Sequence, residues 1–166
     1  MNVNAIFFVI IPFVLMAAIT VGMPFYKVNL LKKAGNKLVP LVTKNSKWLN
    51  FGTWITIYLV LILSFLVDFG KLNFVIPYCA VIGLYIVSKE STFRPVNGLY
   101  EKLLIVGSDI LYFDDIISLP SDEEASHADN VLVVITKKNG KRLFTFDNAN
   151  EVSEVKQALQ KLLELK

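Results

Sequence analysis

The sequence predicts an α-helical membrane anchor of three transmembrane helices, followed by a small α+β domain in which a C-terminal helix caps an antiparallel sheet. Long stretches without charge fill the first half of the chain and stop at Ser88. Polar and apolar residues alternate from Arg94 onward, and leucines at helical spacing close the chain. The charges divide at the same place. Up to Pro95 nine Lys or Arg stand against two acids, whereas from Val96 eight bases meet twelve acids, so the net charge of +3 conceals a cationic apolar half and a mildly acidic polar one. Residues 1–95 are therefore read as the anchor, and residues 96–166 as a domain in water.

Spans are expected at about 5–26, 48–67 and 72–88, each an apolar run near the length that crosses a hydrocarbon core. No Lys or Arg precedes Lys27, so the first run lacks the basic start of a signal peptide. The loop 27–47 between the first two spans carries Lys27, Lys32, Lys33, Lys37, Lys44 and Lys47 and no acid. The turn after the second span is short, with one charge of each sign. An excess of lysine marks the cytoplasmic side, which places the N-terminus outside and the C-terminal domain in the cytoplasm of a multi-pass protein. Phe25, Tyr26, Trp48 and Trp54 fall where interface anchors belong.

Small residues four apart, Ala18 with Gly22 and Cys79 with Gly83, predict close packing of the helices. No ionisable residue lies deep in a span, which argues against pump or proton-relay chemistry. In the basic loop, Leu30, Leu31, Ala34, Leu38 and Val39 suit the apolar face of a short helix lying on the inner leaflet. The six lysines are then membrane-surface contacts, each worth roughly 1 kcal/mol against anionic headgroups.

Four strands are legible in the domain. They run over Gly98–Val106, Ile110–Leu119, Val131–Thr136 and Leu143–Phe146, with Asn139-Gly140 as a hairpin signal before the last. Asn148, three residues before Glu151, suits a capping-box start. Val152, Val155, Leu159, Leu162 and Leu163 then repeat as one helical stripe that must cover the sheet.

The run "NGLYEKLLIVGSDILYFDDI", the Asn-Gly hairpin and the closing amphipathic helix together resemble the small PH-like domains of uncharacterised bacterial multi-spanning membrane proteins. Gly98 and the stretch Tyr112–Ile116 are the matching positions, and the likeness covers about Arg94 to Leu163 and none of the spans. It implies a shortened barrel or sheet tethered to transmembrane helices in a bacterial plasma membrane. The chain departs from the pattern by having Tyr112 and Phe113 where a Trp is common. Four strands are also too few for a closed barrel, so the sheet is open or is completed by a second copy or a partner.

Chemistry is sparsely represented. Cys79, the single cysteine, lies in an apolar run, and His127, the single histidine, lies in a polar acidic loop. Asp114 and Asp115, if on a strand, point to opposite faces and make no carboxylate pair. No nucleophile triad, phosphate-cradling glycine loop or paired-cysteine motif is present in the sequence, so no enzyme, cofactor or metal is expected. Nor is a nucleic acid or a small-molecule substrate.

The expected partners are the bilayer and a protein, self-association included. The candidate partner-binding edges are Tyr100 and Lys102 on the first strand and Lys138, Lys141 and Arg142 on the hairpin. The leading expectation is a non-enzymatic binding module at the inner leaflet. Self-immunity against a membrane-active bacteriocin or secreted toxin, and an accessory subunit of a transporter or secretion complex, are the competitors.

Overall fold

The computed structural model of the chain describes residues 10–42, 47–66, 72–120 and 129–164. They fall into two compact units, one of Met1–Asn29 with Asn45–Thr92, the other of Leu30–Lys44 with Phe93–Lys166.

Three helices build the first unit: α1 (Ile11–Ala34), which continues into the second unit, α2 (Lys47–Leu66) and α3 (Leu72–Phe93). Among the described residues, α1 is the one helix long and apolar enough to cross a membrane, and the apolar stretch of α2, Phe51–Ile62, is shorter. Met16, Leu61, Ala80 and Leu84 form the buried cluster where the three helices meet, with Ile19, Trp54 and Ile57 packed around it. The Thr20 hydroxyl lies 3.2 Å from the Tyr58 hydroxyl across the α1–α2 contact.

The expected small-residue seams differ from this contact. Ala18, Gly22 and Cys79 are exposed, whereas a Cβ on Gly83 would lie 3.7 Å from Ile57 Cδ1. The reason is angular. Met16 and Thr20 sit two residues before Ala18 and Gly22, and two residues turn a helix by about 200°. Ala80 and Leu84, one position along from Cys79 and Gly83, take the contact instead.

The second unit holds seven strands where four were legible: β1 (Lys37–Pro40), β2 (Gly98–Tyr100), β3 (Leu103–Val106), β4 (Asp109–Tyr112), β5 (Ile116–Ser118), β6 (Val131–Thr136) and β7 (Gly140–Thr145). The antiparallel sheets have orders β1-β2-β3-β4 and β5-β6-β7, and α4 (Ala149–Glu164) follows. Two of the expected strands are each broken in two. A turn at Glu101–Lys102 separates β2 from β3, and a 3-10 turn at Phe113–Asp115 separates β4 from β5. The seventh strand comes from the basic segment, which leaves α1 after Ala34 and pairs with β2 instead of continuing as a surface helix.

Gly98 makes that pairing possible. A Cβ on it would lie 2.8 Å from the Val39 carbonyl oxygen, so any side chain there pushes β1 away. The turn between β2 and β3 is tied to the end of α1. Lys102 N–H donates to Ala34 O and Glu101 N–H donates to Asn36 O, each at 3.1 Å, and Asn36 Nδ2 donates to Glu101 Oε1 at 2.8 Å. A distant turn thus supplies a donor for a carbonyl that the helix end leaves open.

Both faces of the four-stranded sheet are covered. Leu99, Leu104, Val106 and Leu111 join Leu132, Val134, Phe144, Val155 and Leu159 in the main core, between the sheets and α4. Tyr100, Leu103 and Ile105 face the other way, against Leu30, Ala34 and Phe93. That explains the unbroken run "LLIV" of β3, all four residues buried, since a strand covered on both sides needs no polar alternation.

Candidate functional site

The lysines read as one membrane-contacting loop are distributed over two elements. Lys27, Lys32 and Lys33 lie on α1, the last two exposed in its final turn, and Lys37 opens β1. Lys44 and the Lys47 side chain lie outside the described residues. Lys37 is taken up by the fold. Its Nζ donates to Asn97 O at 2.6 Å and stands 5.4 Å from the centre of the Tyr100 ring. Burial lowers its pKa below the ordinary lysine value.

The edge expected at Tyr100 and Lys102 is occupied. β2 is hydrogen-bonded on one side to β1 and on the other to β3. Tyr100 is buried, donates its hydroxyl to Val96 O at 2.7 Å, and has its pKa raised by that burial. Only the Lys102 side chain is exposed, beside the end of α1 to which its backbone is bonded.

The hairpin places its residues differently. Thr136 pairs with Gly140, whose φ of +61° closes a three-residue loop, 137–139; Asn139 itself does not take a positive φ. The Asn-Gly signal therefore acts through a glycine at the left-handed position of a longer loop, not through a two-residue turn. Lys138 is exposed and 3.3 Å from Asp115, and Lys141 is exposed. Arg142 is used internally. Its guanidinium donates to Ile110 O at 3.2 Å and to Asp109 at 3.4 Å, and lies 4.9 Å from the Phe144 ring centre, joining β7 to β4. Asp114 and Asp115 lie on the 3-10 turn, not on a strand as expected.

At one end of the sheets a cavity of about 80 Å³ is lined by Leu41, Arg94, Asn97, Thr145, Asp147 and Glu151. That is room for a few waters and too little for a nucleotide or a drug-sized molecule. The Glu151 side chain is buried and accepts the Val42 N–H at 2.8 Å, while Asn148 Oδ1 accepts the N–H of Asn150. The expected capping box is thus half formed: Asn148 caps α4, but Glu151 fastens the end of β1 instead of reaching back to Asn148. Sequence reasoning missed these roles of Glu151 and Asn97 because they rest on a strand more than fifty residues away. Among the described residues no group of three or more His, Cys, Asp or Glu is placed to hold a metal, and His127 lies outside them.

No protein-family model, curated protein or solved structure matches this chain.

Proposed function

We propose that the chain is a non-enzymatic, multi-pass protein of a bacterial plasma membrane. Its N-terminus lies outside, and its PH-like cytoplasmic module engages the inner leaflet or a protein there. The observation that carries this reading is β1. With Lys37–Pro40 added, the strands number seven and are followed by a single helix, which supports a PH-like module where the four strands legible in the sequence were too few for a barrel.

The same strand lies in the chain between α1 and α2, so the module takes part of its sheet from within the anchor's own sequence. Large apolar side chains on the outside of the helical unit, among them Val14, Val21, Phe25, Phe51 and Ile82, suit a lipid surrounding. The 20 and 22 residues of α2 and α3 correspond to about 30 Å each, the thickness of a hydrocarbon core. Lys32, Lys33 and Lys102 are exposed at or beside the end of α1, where an anionic leaflet would meet them.

The test combines membrane fractionation with cysteine labelling in a Cys79→Ser background. Lys141→Cys is expected to react with an impermeant maleimide only after the membrane is opened, and Lys71→Cys in intact cells. The opposite pattern overturns the orientation, and recovery in the soluble fraction overturns the anchor. Flotation on vesicles with and without anionic lipid then compares the leaflet with a protein partner. Loss of crosslinks to other proteins in Lys102→Glu, without loss of flotation, favours the protein.

A further inference from the structure

The outer face of β5-β6-β7 is apolar in its middle. Leu132, Val134 and Phe144 point into the core, so their neighbours Val131, Val133, Ile135 and Leu143 lie on the opposite side, as side chains alternate along a strand. Leu143 is 51% exposed and Ile117 of β5 is 60% exposed, Val131 and Ile135 are half-buried, and Val133 between them is buried, at 4%. The register orders this face in levels: Ile135 is opposite Lys141, Val133 opposite Leu143, and Val131 opposite Thr145. Lys137 stands beyond the first level, at the hairpin, and exposed Asp129 lies beyond the last, at the other end of β6.

This order is complementary to itself when reversed. We propose that the face pairs with the same face of a second copy of the chain, about a two-fold axis running across the strands at the level of Val133 and Leu143. Leu143 then meets Leu143 of the partner subunit, and Ile135 meets Val131 of the partner subunit. Lys141 meets Thr145 of the partner subunit, and Lys137 approaches Asp129 of the partner subunit. An axis along the strands would instead bring the two lysine ends together, so charge selects the first arrangement. The Lys137 ammonium already donates to Asp114 O at 2.7 Å and retains two further donors.

Three strands with six residues in β6 make a face of roughly 20 by 15 Å, well below the area of a stable soluble dimer. Pairing therefore depends on confinement of both copies to one membrane, which raises their effective concentration. In this the inference rests on the anchored reading above.

The experiment uses the full-length chain with Cys79→Ser in native membranes and a short bismaleimide, because facing sheets stand about 10 Å apart, beyond disulfide reach. Leu143→Cys is expected to give a band at twice the chain's 18.7 kDa, while Lys102→Cys, away from this face, does not. Co-expressed Lys141→Cys and Thr145→Cys chains are expected to crosslink to each other more than either does to itself, which reads the register independently. Lys137→Asp should lower the Leu143→Cys yield about tenfold, and Lys137→Asp with Asp129→Lys should restore it.

Equal bands from Leu143→Cys and Lys102→Cys, a band from neither in membrane-bound protein, or a crosslink to another protein only, each overturns the inference. If the chain fractionates as soluble, the anchored reading fails and this inference, which needs the confinement, fails with it; a membrane-bound chain without the Leu143→Cys band overturns the inference alone.

Discussion

The two sheets of the body bury their faces unequally. The four-stranded sheet has both sides covered, Leu99 and Leu104 toward the main core and Leu103 and Ile105 toward Leu30, Ala34 and Phe93. The three-stranded sheet covers one side and leaves Leu143 and Ile117 exposed on the other. Equal apolar character in a strand therefore carries two meanings here. In β3 it joins the body to the helix ends; in β7 and β5 it leaves Leu143 and Ile117 on the surface, while Val133 of β6 between them is buried.

Truncation separates those meanings most strongly. Leu103→Ala removes a fully buried side chain between the sheet and the end of α1 and should cost about 2–5 kcal/mol. Leu143→Ala on the open face should change the stability of the single chain by no more than about 0.5 kcal/mol. Thermal unfolding of the full-length protein in detergent, where pairing is diluted out, compares the two. Similar losses from both would mean that the outer face of the three-stranded sheet contributes to the fold as much as the covered face of its neighbour.

The next largest effect concerns the strand that completes the first sheet. Gly98→Ala places a methyl 2.8 Å from the Val39 carbonyl oxygen and should destabilise the body by about 1–3 kcal/mol. Hydrogen exchange should accelerate first at Val39 and Leu41, while β6 and β7 stay protected. Uniform acceleration would show that β1 does not open separately from the rest.

This strand also marks the limit of what the sequence made legible. Helix α4, the hairpin and the apolar character of α1 were readable because each depends on neighbours within a few residues, such as the Asn148 cap or the stripe through Val155 and Leu159. β1 was not. "KLVP" is four residues long with one buried side chain, Val39, and its order depends on Gly98 and on hydrogen bonds to residues 97–100. Of the apolar face expected from Leu30, Leu31, Ala34, Leu38 and Val39, Leu30 and Ala34 lie on α1 and meet Phe93, Tyr100 and Leu103, whereas Leu38 and Val39 lie on β1. Periodicity identifies a face that needs covering without saying what covers it. For the same reason Tyr100, which looks like an edge aromatic in sequence, is an interior residue.

A smaller effect is expected at the far end of β1. Glu151→Ala leaves the Val42 N–H without its side-chain acceptor and should cost about 1–3 kcal/mol, whereas Glu151→Gln keeps an acceptor oxygen and should recover most of that. Protease sensitivity around Val42 is the readout. If Gln is no better than Ala, the charge of Glu151 matters more than its hydrogen bond.

The smallest effect is in alkaline pH dependence, and it tests how completely the first sheet's second face is closed. Burial raises the Tyr100 pKa, so above the ordinary tyrosine value of about 10 the unfolded chain ionises first. Stability from this group is fully present below that pH and is lost as pH rises through the raised folded-state value. Burial lowers the Lys37 pKa, which gives the opposite trend. Its contribution is fully present above the ordinary lysine value of about 10.4 and is lost as pH falls through the lowered folded-state value. Tyr100→Phe should therefore flatten the loss of stability above pH about 10, at a small cost near neutrality from the missing bond to Val96 O. Lys37→Met should leave that loss in place and remove the opposing rise. Stability followed against pH in the two variants separates the trends. A Tyr100→Phe profile that still falls as steeply as the parent would mean that the phenol, beneath Lys37 and behind the end of α1, is reached by water after all.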